Sequence, residues 1–192
     1  MTTPLYPTFE KRIGDAVDVL IRVQVEPWVF LNAGHPMKLS MFDGRPIHYQ
    51  GIGFEGSPRH VFWGRYIEPF LEDLAIKQIA SAVKEARERQ VDAKLLLPEV
   101  QNLLLAACTK VYRRMAQIDQ SLLGKGFPEK VRLRSTTREY EEMSSFIKKH
   151  IDAELEMWKP RPWYEGWYER NKFVVWAVGT VIAIAGLAVK FL

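Results

Sequence analysis

Four side chains that could do acid-base chemistry lie near one another in the sequence, at His48, His60, Glu68 and Glu72. Imidazoles and carboxylates can transfer protons or bind a metal ion. If a hairpin carrying His48 faces the aromatic helix that follows it, these groups would line one pocket. Their spacing matches no zinc-binding, nucleophile-elbow or phosphate-loop motif. They are therefore the first residues to inspect for an enzyme that acts on a lipid-like substrate at a membrane.

Three other patterns resemble chemical motifs, and each has a simpler interpretation. Residues 51–56, GIGFEG, fit G-x-G-x-x-G, but a proline-containing hairpin precedes them instead of a parallel strand, so we predict a plain loop. Cys108 falls within an apolar helical stripe, which predicts an inert core residue. His150 and Glu154 are four residues apart with no second ligand pair, so we expect the carboxylate to satisfy the histidine. We therefore predict no catalytic residue, no cofactor and no metal site.

The hydrophobic pattern predicts a mainly helical bundle with a small β-hairpin insertion. Apolar residues recur at helical spacing in four segments, which we expect to begin at Thr8, Ser57, Pro98 and Thr136. We expect Pro69 to interrupt the second helix, and we expect the third helix to lie at the centre of the bundle. The first helix is expected to end before Pro27, and Thr136 with Glu139 has the spacing of a capping box. Asp43-Gly44 predicts the turn of a hairpin within residues 37–49. Residues 127–134 alternate, which fits either a further strand or an extended connector.

An aromatic cluster at Phe62, Trp63 and Tyr66 is the densest outside the carboxy-terminal region. Such a cluster typically packs into a core, whereas an exposed one would form a partner-binding or membrane-resting surface. Both alternatives are open from the sequence, and these residues are our candidate partner surface.

Composition restricts the class of protein and its environment. The 192 residues carry 27 basic and 23 acidic side chains, a net charge of +4 that does not provide the concentrated basic face of a nucleic-acid-binding protein. We therefore expect no nucleic-acid partner. A single cysteine cannot form an internal disulfide, which is typical of a reducing compartment.

Residues 173–192 form an apolar run in which the first seventeen residues carry no charge. As a helix, the twenty residues would be ~30 Å long, about the thickness of a bilayer core. Aromatic and basic side chains surround the run, as at membrane interfaces. We predict a single transmembrane helix whose membrane-anchoring residues are Trp163, Trp167, Tyr168, Arg170, Lys172, Trp176 and Lys190.

The arrangement predicts a cytoplasmic helical domain in residues 1–159, an aromatic and basic elbow in residues 160–172, and the span in residues 173–192. Basic residues are more numerous before the span than after it, which places the amino-terminal domain in the cytoplasm and the carboxy terminus on the far side. A span at the end of the chain predicts post-translational, tail-anchored insertion. Small residues at Gly179, Ala183 and Gly186 share one side of the helix, which would let another helix, such as that of a second copy of the chain, approach closely.

We expect an interaction or scaffold module at the membrane surface, with the lipid bilayer and one or more proteins as partners. Two alternatives are the lipid-directed enzyme described above and an effector that perturbs the membrane by oligomerising its span. A pocket in which titratable side chains converge would favour the enzyme, and an exposed apolar patch would favour the interaction module. Toxicity that is lost when the span is deleted would favour the effector.

Overall fold

The computed structural model describes residues 2–30, 37–49, 62–123 and 136–158, together with residues 171–174, 176 and 180. Contacts divide the chain into two units, Met1–Trp158 and Lys159–Leu192. The predicted loop at residues 51–56 and the alternating segment at residues 127–134 lie outside the described residues. The first unit is the mainly helical bundle with a hairpin that the sequence predicts.

Helix α1, Tyr6–Leu20, packs one apolar face into the core, and the face is the predicted one. Its buried residues are Phe9, Ile13, Val17 and Leu20. The prediction that Thr8 caps the helix is wrong, because the helix begins earlier. Pro7 lies in the first turn, where backbone N–H groups have no partner within the helix, so the missing N–H of proline costs no hydrogen bond. The helical path continues through a π-helical turn, Ile21–Val25, and a 3-10 turn, Glu26–Phe30, that includes Pro27.

Strands β1, Met37–Ser40, and β2, Pro46–Tyr49, pair antiparallel, with Met37 opposite Tyr49 and Ser40 opposite Pro46. This confirms the predicted hairpin. Gly44 occupies its turn with a φ of +85°, a backbone angle that favours glycine. Ile47 and Tyr49 are buried while the residues between and before them are exposed, as expected for a strand with one face on the core.

A π-helical turn, Trp63–Ile67, leads into helix α2, Glu68–Arg89. Pro69 causes the predicted interruption, because it has no N–H to donate to the carbonyl of Arg65. That carbonyl instead accepts a hydrogen bond from the backbone N–H of Phe42 at 3.2 Å. The helix break therefore fixes the hairpin turn against the bundle.

Helix α3, Ala93–Leu123, is the central helix, as predicted, and it packs against α1, α2 and the last helix of the domain. It begins before Pro98, so the predicted start is wrong. The carboxylate of Asp92 accepts a hydrogen bond from the N–H of Lys94 at 2.9 Å and caps the helix there. Pro98 deprives only the carbonyl of Lys94 of its donor, and both residues are exposed, so water can replace that bond.

Helix α4, Thr137–Met157, closes the bundle with buried Met143, Ile147 and Ile151. Thr136 precedes it, but its side chain makes no capping hydrogen bond, so the predicted capping box is wrong. The carbonyl of Thr136 instead accepts the N–H of Tyr140 at 3.0 Å, a bond of the helix itself.

Among the residues that the structure describes, no helix is both long enough and apolar enough to cross a bilayer. Most of the predicted span, residues 173–192, lies outside those residues.

Candidate functional site

The predicted acid-base residues Glu68 and Glu72 lie in the first turns of α2. Burial raises the pKa of Glu68 above its ordinary value, and repulsion from Glu72, Glu142 and Glu139 raises it further. His48 lies on β2 with an exposed side chain, and His60 lies outside the described residues. Glu68 therefore has carboxylates of α4 beside it, and the four-residue pocket stays a prediction.

Tyr112 of α3 lies among the same acidic residues and is buried. Its hydroxyl donates to the carbonyl of Glu139 at 3.5 Å, and its ring centroid is 4.7 Å from that of Trp63. Burial, followed by nearby negative groups, raises the pKa of Tyr112 far above its ordinary range. The phenol is therefore neutral at physiological pH. Tyr112 contributes packing and a hydrogen bond, not charge, to the contacts of α3 with Trp63 and with Glu139 of α4.

The candidate partner residues Phe62, Trp63 and Tyr66 pack largely within the domain. Phe62 is 2% exposed, and its ring centroid lies 5.7 Å from that of Trp28 and 5.6 Å from that of Tyr49. Trp63 and Tyr66 are half-buried. Phe62 thus belongs to the core, and only its two neighbours retain partly exposed rings.

Cys108 is buried, and burial raises the pKa of its thiol to about 12. A thiol that stays protonated in a core is a poor nucleophile, which confirms its predicted place as a core residue.

His150 is satisfied within its own helix, but not by Glu154. Its Nδ1 lies 2.9 Å from the carbonyl oxygen of Phe146, one turn earlier, and its ring centroid is 4.2 Å from that of Phe146. Within the described ranges no three histidine, cysteine or acidic side chains converge on a point where they could hold a metal ion.

A groove of about 420 Å³ lies between α1 and α3. Two ion pairs border it: the ammonium of Lys110 lies 2.5 Å from Asp18, and Arg114 binds both carboxylate oxygens of Glu26 at 2.6 Å. Both arginine hydrogen bonds lower the pKa of Glu26 below its ordinary value. Ile21 and Ala106 are among the apolar residues that line the groove.

Arg113 lines the same groove and is exposed, but it forms no ion pair with a described residue. The pattern of basic residues on α3 marks this face in the sequence. It does not reveal that Asp18 and Glu26 neutralise two of the cations, because these acidic residues lie some ninety positions earlier in the chain. Among the described residues, the groove thus presents the guanidinium of Arg113 without an ion-pair partner, and it can bind a carboxylate of another protein.

The second unit is described at a few positions of its helix. Phe173 and Trp176 are 77% and 66% exposed there, with ring centroids 6.2 Å apart. The hydroxyl of Thr180 donates to the carbonyl of Trp176 at 2.9 Å. Other predicted anchoring and helix-contact residues lie outside the described positions: Trp163, Trp167, Tyr168, Arg170, Lys190, Gly179, Ala183 and Gly186.

No protein-family model, curated protein or solved structure matches this chain.

Proposed function

We propose that this protein is anchored in a membrane by residues 173–192 and that its helical domain binds protein partners at the membrane surface. The observation that carries the proposal is the seventeen-residue stretch without charge beside aromatic and basic residues. We infer that the domain lies on the cytoplasmic side, because the basic residues precede the span.

The contrast with α3 explains why lipid suits this stretch better than a protein interior. Although α3 is the central helix of the domain, it carries Lys110, Arg113 and Arg114 on its exposed side. An amphipathic helix of this kind needs water on one face, whereas a run that is apolar on all sides does not. Residues 173–189 have no charged face at all.

Two details of the second unit support the same proposal. The large apolar rings of Phe173 and Trp176 are mostly exposed, so they are available to lipid. Hydrocarbon cannot satisfy a polar group, so each must find a partner within the helix. The hydroxyl of Thr180 meets this requirement through the carbonyl of Trp176.

The groove between α1 and α3 is our candidate site for the protein partner. Arg113 supplies a guanidinium that pairs with none of the described residues, and the nearby Ile21 and Ala106 supply apolar surface. An extended or helical segment that carries one carboxylate beside apolar side chains fits this combination.

Membrane extraction tests the anchor. The full chain should float with membranes and resist carbonate extraction, while Ile182→Arg with Ile184→Arg should move it to the soluble fraction. Each arginine costs about 3 kcal/mol at the centre of a span. Ile76→Arg is the control, because Ile76 is already 46% exposed on the domain. A wild-type chain found in the soluble extract would contradict the proposal.

Affinity capture from gently solubilised membranes tests the partner role. Arg113→Glu should lose a protein that the wild type captures, because it reverses the charge of a groove cation that pairs with none of the described residues. Arg45→Glu is the control, since Arg45 is exposed on the hairpin turn. Identical captured proteins for all three chains would exclude the groove as the partner site.

A further inference from the structure

The two most exposed large apolar side chains described in the domain are Leu95, at 63%, and Met157, at 61%. Leu95 lies in the first turn of α3, and Met157 is the last residue of α4. Water does not favour such exposure, and an apolar surface of this kind often contacts a partner or a lipid surface.

Leu95 and Met157 lie equally far from the point where their two helices meet. Helices α3 and α4 meet where the rings of Tyr112 and Tyr140 approach within 6.3 Å. Leu95 lies seventeen residues before the first tyrosine and Met157 seventeen residues after the second. At 1.5 Å per residue, each is about 26 Å from that contact along its helix.

The end of α2 belongs to the same region. The guanidinium of Arg87, in the last turn of α2, lies 5.5 Å from the ring centroid of Trp158. A short link joins α2 to α3, which brings the first turn of α3 close to this contact. The end of α2, the beginning of α3 and the end of α4 therefore form one surface, which we call the exit end.

The chain leaves the domain at the exit end. Trp158 is only 8% exposed, and it follows the last residue of α4. Fourteen residues, 159–172, separate it from the apolar run, and they include two prolines and two aromatic pairs that suit a membrane interface. Because the chain passes from this end of the domain into the proposed span, the exit end is the part of the domain that is tethered to the bilayer.

The charges at the exit end are mixed. Arg87, Arg89 and Lys94 are exposed there, and so are Glu88, Asp92 and Glu156. This balance provides no strong attraction to anionic headgroups. Contact with a bilayer would therefore depend on the two apolar side chains and not on lipid charge.

We propose that the exit end rests on the bilayer, with Leu95 and Met157 in the interfacial layer of the lipid. This inference rests on the proposed function, because it requires the membrane anchor. The inference specifies which surface of the domain faces the lipid. In this orientation the groove between α1 and α3 stays free for a protein partner.

Site-directed fluorescence on the full-length chain in phosphatidylcholine vesicles tests the orientation. Leu95→Cys and Met157→Cys variants are labelled with a small fluorophore, and quenching by a lipid-attached nitroxide is compared with quenching by aqueous iodide. Buried Cys108 can stay in place, and the unsubstituted chain reports its background labelling. Val19→Cys and Ile76→Cys are matched controls, at 50% and 46% exposure. Val19 lies beside Asp18, which pairs with Lys110, about 22 Å along α3 from Leu95.

Labels at positions 95 and 157 should be quenched several-fold more by the lipid nitroxide than labels at positions 19 and 76, and less by iodide. The same pattern should hold when anionic lipid is added. Equal iodide quenching at all four positions, in a chain that still floats with the vesicles, would overturn this inference alone. A chain that does not float would overturn both this inference and the membrane anchor. Protection of positions 95 and 157 only after a protein partner is added would show that a protein, and not lipid, covers the exit end.

Discussion

The two faces of α3 hold the domain together by different means. On one face, Val100, Leu104, Val111, Met115 and Ile118 are almost fully buried and form the centre of the core. On the other, Lys110 and Arg114 reach across to Asp18 and Glu26 near the water. Burial of apolar area depends little on pH or salt, whereas exposed ion pairs are screened by both water and ions. We therefore expect mutations on the two faces to differ in size and in pH dependence.

The largest effect is expected on the buried face. Met115→Ala should lower the free energy of unfolding by about 2–4 kcal/mol, because it removes apolar contacts and leaves a cavity. Met115 is fully buried. Urea unfolding of the full chain in detergent, followed by circular dichroism, measures the change. Arg113→Ala, on the exposed face of the same helix, is the control and should change the value by less than about 0.5 kcal/mol. Equal effects of the two substitutions would remove the distinction between the faces.

A smaller effect is expected from the ion pair that joins α3 to the 3-10 turn. Arg114→Ala should cost about 1 kcal/mol, since the pair has two hydrogen bonds but is more than one-third exposed. Arginine lowers the pKa of Glu26 in the folded protein, so the stabilisation is present above the ordinary value of 4.5 and is lost as the pH falls through the lowered pKa.

A double-mutant cycle with Glu26→Gln, measured at pH 7 and pH 3, separates this coupling from side effects of each substitution. The interaction energy should be favourable at pH 7 and weaker at pH 3, because the stabilisation begins to be lost below the ordinary pKa of 4.5. The same interaction energy at both pH values would show that charge is not its source.

The smallest effect concerns Glu68, and its sign is opposite. Glu68→Gln should raise the free energy of unfolding at pH 7 by about 0.5 kcal/mol, a value reduced for the partial exposure of the carboxylate. The folded protein binds this proton more tightly than the unfolded chain, because burial and nearby carboxylates raise the pKa. Ionisation therefore destabilises the fold above that raised pKa, and the cost disappears as the pH falls to the ordinary value of 4.5 and below.

Unfolding curves of Glu68→Gln at pH 7 and pH 4 test this sign. The gain should shrink at the lower pH, while Glu141→Gln, at an exposed position on α4, should have little effect at either pH. A loss of stability at pH 7 would mean that the Glu68 carboxylate has a favourable partner.

The sequence predicted the faces of the helices better than their ends. Apolar spacing identified the buried sides of α1 and α3, because a helix repeats every 3.6 residues whatever surrounds it. The start of α3 was misplaced at Pro98, because a proline stops a helix only where the lost hydrogen bond matters. Here the carbonyl that loses its donor belongs to an exposed residue, Lys94.

Local pairings at the candidate sites were harder to predict. His150 has Glu154 four residues after it, but the nearer acceptor is the carbonyl of Phe146 four residues before it. Spacing along a helix allows both partners, and only side-chain packing distinguishes them. The pairing of Arg114 with Glu26 and of Lys110 with Asp18 also required the fold, since no local pattern connects them.

By itself, the sequence determined the helical periodicity, the hairpin turn at Gly44 and the long uncharged run, because each is a local property of neighbouring residues. Only the tertiary structure decided that Phe62 is covered and that Arg113 has no ion-pair partner among the described residues. It also decided that Leu95 and Met157 share one end of the bundle. These properties depend on which helices lie side by side, and that choice is made by packing between residues far apart in the chain.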